Sequence, residues 1–178
     1  MSKVLTFSRN FPSYHPQKGK PTFFVEKIFQ SILDNELQDW RGVADTSANP
    51  LLNKERQSFF SKHWECKNHT IRGGNRFKVG DKFSPRVWSD KPYNSKQIII
   101  APDIEVANVF RFEIRIVHFS LGSTPRAFIN GIVVDHDTLH QLAANDGLDP
   151  FDFLAWFRWN DKKEFDGQII CWNKNVNY

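Results

Sequence analysis

The stretch Val106-Ala107-Asn108-Val109-Phe110-Arg111-Phe112-Glu113-Ile114-Arg115-Ile116-Val117-His118-Phe119 decides the fold class. Phe110, Phe112, Ile114, Ile116 and His118 alternate with Arg111, Glu113, Arg115, Val117 and Phe119. Successive side chains of an extended chain point to opposite faces, so this stretch predicts a long strand with one buried and one wetter face. Working outward, Asn130-Gly131 lies between Phe128-Ile129 and Ile132-Val133-Val134. Both turn residues tolerate positive φ, which predicts a tight hairpin there. A helix follows, from Asp135 or Asp137 to about Asn145. A second helix has Asp149 as N-cap, Pro150 in its first position and Asp152 in its first turn, and winds to Trp159. Residues 168–172 read as a closing strand.

Upstream, residues 3–8 read as a short strand and 11–21 as a Pro/Gly loop. From Thr22, Phe23, Phe24, Ile28, Ile32 and Leu33 recur near helical spacing, predicting an amphipathic helix that ends near Asn35. Residues 36–62 are mixed and polar, with the breaker Asn49-Pro50, and read as an insertion with a helical piece over 51–60. Residues 69–72, 82–88 and 97–101 are further strand candidates, and Gly73-Gly74-Asn75 is a turn signal. Strands broken by helices, without a βαβ rhythm, predict a mainly β domain with helical insertions (α+β). The expected form is a closed or nearly closed β-barrel of five to seven strands, with the helices after Asp135 packed on its side.

The chain has 178 residues, which suits one domain over 1–178. Its residues are 40% hydrophobic, with 17 Phe and 6 Trp, enough for a core without metal or disulfide staples. No apolar run approaches the roughly 18 residues of a membrane span. The beginning Met1-Ser2-Lys3-Val4-Leu5 shows no secretory pattern. Cys66 and Cys171 are far apart and read as free thiols of a reducing compartment, so the cytoplasm is expected.

The formal net charge is +4. Residues 62–96 hold nine Lys and Arg against Glu65, Asp81 and Asp90, a local +6. Residues 135–166 are acidic. A basic segment in an otherwise acidic chain fits a polyanion surface, although solvated lysines give the same pattern.

The densest segment runs from Lys67 through Asn68-His69-Thr70-Ile71-Arg72-Gly73-Gly74-Asn75-Arg76-Phe77-Lys78-Val79-Gly80 to Asp81. Lys67 and Thr70 are three apart, and an extended strand ending in a bend lets them converge on one cleft. A lysine whose pKa is lowered by burial or by Arg72 takes a proton from a threonine hydroxyl. Arg72 and the Gly73-Gly74 amides suit an anion. The bland alternative is a basic strand end, a glycine turn and a solvated loop.

Two other sets carry metal-ligand residue types. His63, Cys66 and His69 are three apart in turn, and His136 and His140 four apart. A closed zinc site takes four ligands, and no spacing links these sets, so neither a metal nor any other cofactor is expected. Among the tryptophans, Trp156 reads as core, whereas Trp64 and Trp88 lie in the basic stretch and are candidates for stacking bases.

The segment Lys67-x-x-Thr70-x-Arg72, followed by Phe77-Lys78-Val79-Gly80-Asp81, resembles the ASCH family of PUA-like barrels. The small bacterial members, amidohydrolases of acetylcytidine, are similar there and beyond. The matches beyond are Asp137-Thr138-Leu139, Ala143-Ala144-Asn145-Asp146-Gly147-Leu148, the helix end Trp156-Phe157, and Phe165-Asp166-Gly167-Gln168-Ile169-Ile170. The resemblance covers residues 4–9, 67–88 and about 106–172, and leaves the 36–62 insertion outside. It implies a catalytic set of Lys67, Thr70 and Asp146, with lysine as activator, threonine as nucleophile and the carboxylate as proton carrier or orienter. The family's acidic residue is a glutamate, so Asp146 departs by one methylene, and a shift of roughly 1 Å costs about a hundredfold.

Three functions follow from these residues. One is hydrolysis of an acyl amide on cytidine. Another is non-catalytic binding of RNA or a modified nucleoside through Arg72, Arg76, Lys78, Lys82, Trp64 and Trp88. In a third, a ribonuclease, the lysine and arginine stabilise phosphate charge. In each the partner is RNA or a modified nucleoside, with no membrane.

Overall fold

Residues 108–119 lie at the centre of a five-stranded sheet in the computed structural model, which describes residues 2–37, 50–120, 122–161 and 163–178. The chain order is β1 (Lys3–Phe7), α1 (Phe24–Asp34), a 3-10 turn (Pro50–Leu52), α2 (Asn53–Ser61), β2 (His69–Gly73), β3 (Lys82–Trp88), β4 (Gln97–Ile99), β5 (Ile104–Glu105), β6 (Asn108–Phe119), β7 (Gly122–Ile129), β8 (Ile132–Val133), α3 (His136–Asn145), α4 (Pro150–Trp156), a 3-10 turn (Trp159–Asp161) and β9 (Phe165–Cys171). Part of the expected 36–62 insertion, residues 38–49, lies outside the described residues.

The larger sheet has the order β2-β9-β6-β7-β8, antiparallel throughout. In β6, Phe112 and Ile114 are buried in the core, and Phe110 packs against it. The opposite face departs from expectation at Glu113, which is buried because Arg111 and Arg115 flank it and pair with both its oxygens. Asn130 and Gly131 make the expected turn at φ 51° and 84°. Asp135 and Asp149 cap α3 and α4, each accepting a backbone N–H three residues on.

The smaller sheet is mixed. One edge of β3 pairs in parallel with β1, and the other pairs with β4 and β5. The fold is therefore α+β with two sheets, and among the described residues no closed barrel forms. At the seam β1 and β2 share no ladder; the Arg72 guanidinium donates to the Thr6 carbonyl at 2.6 Å instead. A side chain does there what a strand pairing would do in a closed barrel. Inside, Phe7 and Phe83 of one sheet meet Trp172 at the end of the other, with ring centroids 6.1 and 5.6 Å away. Helix α1 lays Phe24, Ile28 and Ile32 on this core, as its spacing predicted, and adds Phe29; Phe23, expected on the same face, precedes the helix and is 36% exposed. Cys66 and Cys171 are free thiols. No described helix is long and apolar enough to cross a membrane.

Candidate functional site

Local structure at two chain turns places the site. Helix α3 ends with Asp146 as its C-cap, and Gly147 follows at φ 75°. The Leu148 N–H reaches the Ala143 carbonyl and the Gly147 N–H the Ala144 carbonyl, the paired bonds of a Schellman ending. That left-handed position is one where glycine carries no Cβ penalty. Space demands it too: a Cβ would sit 3.2 Å from Lys27 Cδ and 3.3 Å from Lys67 Cβ.

The residues before β2 are stitched to this helix end. The Lys67 N–H donates to the Lys27 carbonyl at 3.0 Å and the Asn68 N–H to the Asn145 carbonyl at 2.8 Å. The Asn68 side chain donates to Asn145 Oδ1 and accepts from Ser31 Oγ, which in turn accepts from the Trp172 indole. A buried polar network with its members satisfied fixes geometry closely. Lys67 and Asp146, 79 positions apart, are thereby held face to face.

Lys67 Nζ donates to Asp146 Oδ1 at 2.6 Å and to the Asp146 carbonyl at 2.5 Å. Lys67 is only 1% exposed and Asp146 5%. The Phe24 ring lies 4.2 Å from the ammonium. Burial pulls the Lys67 pKa down to about 8, against the opposing charge and hydrogen bond of Asp146, while Arg72 and Lys27 add to the fall. Burial also lowers Arg72, with Asp146 and Tyr93 opposing. His69, next along β2, is fully buried, bonds the Leu142 carbonyl through Nε2 at 3.0 Å, and is held by burial near pKa 4, hence neutral at pH 7.

A cleft of about 900 Å³ opens along the seam between β1 and β2. Lys67, Thr70, Arg72 and Asp146 all line it, as does Trp88. Its other wall includes the strap after β1, Ser8 to Tyr14, together with Trp156. The Tyr14 hydroxyl donates to the Trp156 carbonyl at 3.1 Å, tying the strap to α4.

The remaining predicted residues lie elsewhere. Arg76, Lys78 and Lys82 are exposed and do not line the cleft. Trp64 is 5% exposed, with Phe23 at 4.8 Å and the Lys62 ammonium 4.0 Å over its ring, and its indole donates to the Ser58 carbonyl. A covered indole offers no stacking platform, which corrects the expectation for Trp64. Trp156, read as core, is half-buried and faces the cleft. The helical part of the insertion brings Lys54, Glu55 and Ser58 to a neighbouring cavity of about 470 Å³, where Glu55 pairs with Arg9 at 2.7 Å, and does not cover the main cleft.

His63, Cys66 and His69 do not converge: His63 and Cys66 turn to Asp34, while His69 points inward. The His136 and His140 rings lie against each other at a tilt of 40°, with centroids 4.3 Å apart. Among the described residues, no three His, Cys, Asp or Glu side chains gather as a metal site. Sequence reasoning missed Lys27, Tyr14 and Tyr93. The last had a signal, an aromatic between Pro92 and Asn94 in a polar turn. Comparison with known proteins returns no match: no family model, no curated protein and no solved structure aligns with this chain.

Proposed function

We propose that this chain is an ASCH-type, PUA-like protein that hydrolyses the acyl amide of an acylated cytidine. One observation carries the proposal: a desolvated Lys67, paired with Asp146, in the cleft that Thr70 and Arg72 also line. A lysine used only to attract a phosphate gains nothing from burial, whereas one used as a base near neutral pH needs it. With a pKa near 8, about a tenth of Lys67 is neutral at pH 7.

In the proposed cycle Thr70 Oγ bonds to the acyl carbon as its proton passes to Lys67 Nζ. Arg72 faces the developing oxyanion as a permanent cation. The carbon–nitrogen bond then breaks, and the cytidine amine takes the proton back from Lys67. Water attacks the Thr70 ester and gives its proton to Lys67. The carbon–oxygen bond breaks, Thr70 Oγ recovers that proton, and the acid leaves. Asp146 keeps the lysine nitrogen on station throughout. Its pair with Lys67 is already closed at 2.6 Å, so the shorter carboxylate loses no reach toward the lysine.

Acid release from N4-acetylcytidine by the purified protein tests this directly. The parent should release acetate, Lys67→Ala none and Thr70→Ala nearly none. Lys67→Arg should not rescue, because guanidinium does not give up its proton near neutral pH. A second reading, an RNA-binding module, is favoured by the exposure of Arg76, Lys78 and Lys82. If the parent releases nothing yet binds RNA with a steep salt dependence that Arg72→Ala/Arg76→Ala flattens, that module replaces the hydrolase.

A further inference from the structure

The connection from β3 to β4, residues 89–96, is a tight hairpin closed by its own bonds. The Ser89 N–H donates to the Lys96 carbonyl at 2.8 Å and the Asp90 N–H to Ser95 Oγ at 3.0 Å. Ser95 Oγ donates in turn to the Lys91 carbonyl, and the Asn94 N–H donates there as well. At its tip Tyr93 is held at φ 66°. A bulky side chain in the left-handed region is a rare and strained choice, which glycine or asparagine would relieve. Burial does not offset the strain, for Tyr93 is 86% exposed.

Its ring is nevertheless not idle. It stands 5.5 Å from the Trp88 ring at 50°, and both side chains line the cleft that holds Lys67. Rings inclined at that angle do not stack on each other. They form a tilted, V-shaped pair on the cleft wall; with centroids 5.5 Å apart no third ring enters between them, so a flat π-system would lie on a ring face that the pair presents to the cleft. Strained positions cluster where they present a side chain to a ligand.

We infer that Trp88 and Tyr93 form a ring-stacking subsite that takes the nucleobase, a cytosine, and holds its exocyclic nitrogen toward Lys67 and Thr70. The inference rests on the nucleoside reading given above and adds the selection rule: the cleft accepts an amide carried on a flat aromatic ring and passes over the same amide on an aliphatic group. The acyl group alone, without a ring, gains nothing from the V.

Binding of cytidine, N4-acetylcytidine and the ringless amide N-methylacetamide to the full chain, followed by tryptophan fluorescence and calorimetry, tests it. Both nucleosides should bind the parent and N-methylacetamide should not. Trp88→Phe should lower the ligand-dependent fluorescence change to what Trp156, on the opposite wall, contributes. Tyr93→Ala should weaken cytidine binding about tenfold, and Tyr93→Phe should stay within about twofold of the parent. Tyr93→Gly should weaken binding as alanine does while raising the melting temperature, a pair of opposite signs that general damage to the loop does not give. If the parent binds cytidine and the alanine and glycine variants bind it equally well, the subsite is refuted and the nucleoside reading stands. If the parent binds neither nucleoside, both fall. If ring binding follows the pattern above but no acetate is released, the subsite stands and the hydrolase reading falls.

Discussion

Asp146→Asn should shift the titration of Lys67 downward without disturbing the fold. The amide keeps an acceptor for the lysine nitrogen, and the backbone carbonyl of residue 146 keeps the other. What is lost is one negative charge 2.6 Å from Nζ. At the dielectric constant of water that charge contributes about 332/(80 × 2.6), or roughly 1.6 kcal/mol, in favour of the ammonium. An effective value of 20 makes it about 6 kcal/mol. At about 1.4 kcal/mol per unit, the smaller figure lowers the midpoint by slightly more than one unit. From a parent value near 8, Lys67 should then titrate below 7. Carbon-13 labelling of the lysine ε-methylenes allows the titration to be followed by NMR, with Lys67→Met identifying the resonance. A parent midpoint near the ordinary 10.5 would refute the claim that burial sets the Lys67 pKa. A midpoint in Asp146→Asn within about half a unit of the parent would refute the claim that the pair opposes it.

Other outcomes follow from the same contacts. Because the folded pKa of Lys67 lies below its unfolded one, the unfolded chain holds more protons between pH 8 and 10.5, and this lysine's contribution to stability rises across that window. The difference in unfolding free energy between parent and Lys67→Met should rise there by about 3 kcal/mol in the parent's favour. Taking the difference cancels Cys66, Cys171 and Tyr178, whose burial-raised pKa values act in the opposite direction at alkaline pH. A flat difference in urea unfolding would contradict the assignment. Gly167→Ala should cost about 3 kcal/mol or more, since the new Cβ would stand 2.2 Å from the Arg72 carbonyl, a backbone atom that cannot swing away. A variant with an unchanged denaturation midpoint would show that β2 and β9 are looser than described.

Local chemistry made much of the fold legible. The alternation of 110–114 marked the sheet's centre, while beyond it Ile116 is half-buried and His118 exposed because the strand outruns the core; Asn130-Gly131 marked the hairpin, and Asp135 and Asp149 the two helix starts. Where long-range pairing decided, sequence was silent. The parallel alignment of β1 with β3 joins Lys3 to Phe83, and no local pattern encodes it. Strand β5 is two residues long, and β7 begins Gly-Ser-Thr-Pro, residues that carry little strand propensity. Helix α4 stops at Trp156 rather than Trp159, because Phe157 caps it and Arg158 turns to φ 53°. At the site, Lys67, Thr70 and Arg72 were visible through their spacing in one segment, Lys67 just before β2 and the other two on it, and Asp146 only through the resemblance. Lys27, Tyr14 and Tyr93 reach the same region from other elements, so their part depended on tertiary structure.

The most direct measurement of the proposed chemistry is the intact mass of the protein, acid-quenched within its first turnovers on N4-acetylcytidine. The proposed cycle predicts one acetyl group on the parent, mapped to the peptide that holds Thr70, with free cytidine appearing at the same rate. Thr70→Ala should carry none. Release of cytidine with no acyl group ever on the protein, and with Thr70→Ala as active as the parent, would contradict the nucleophilic role of Thr70.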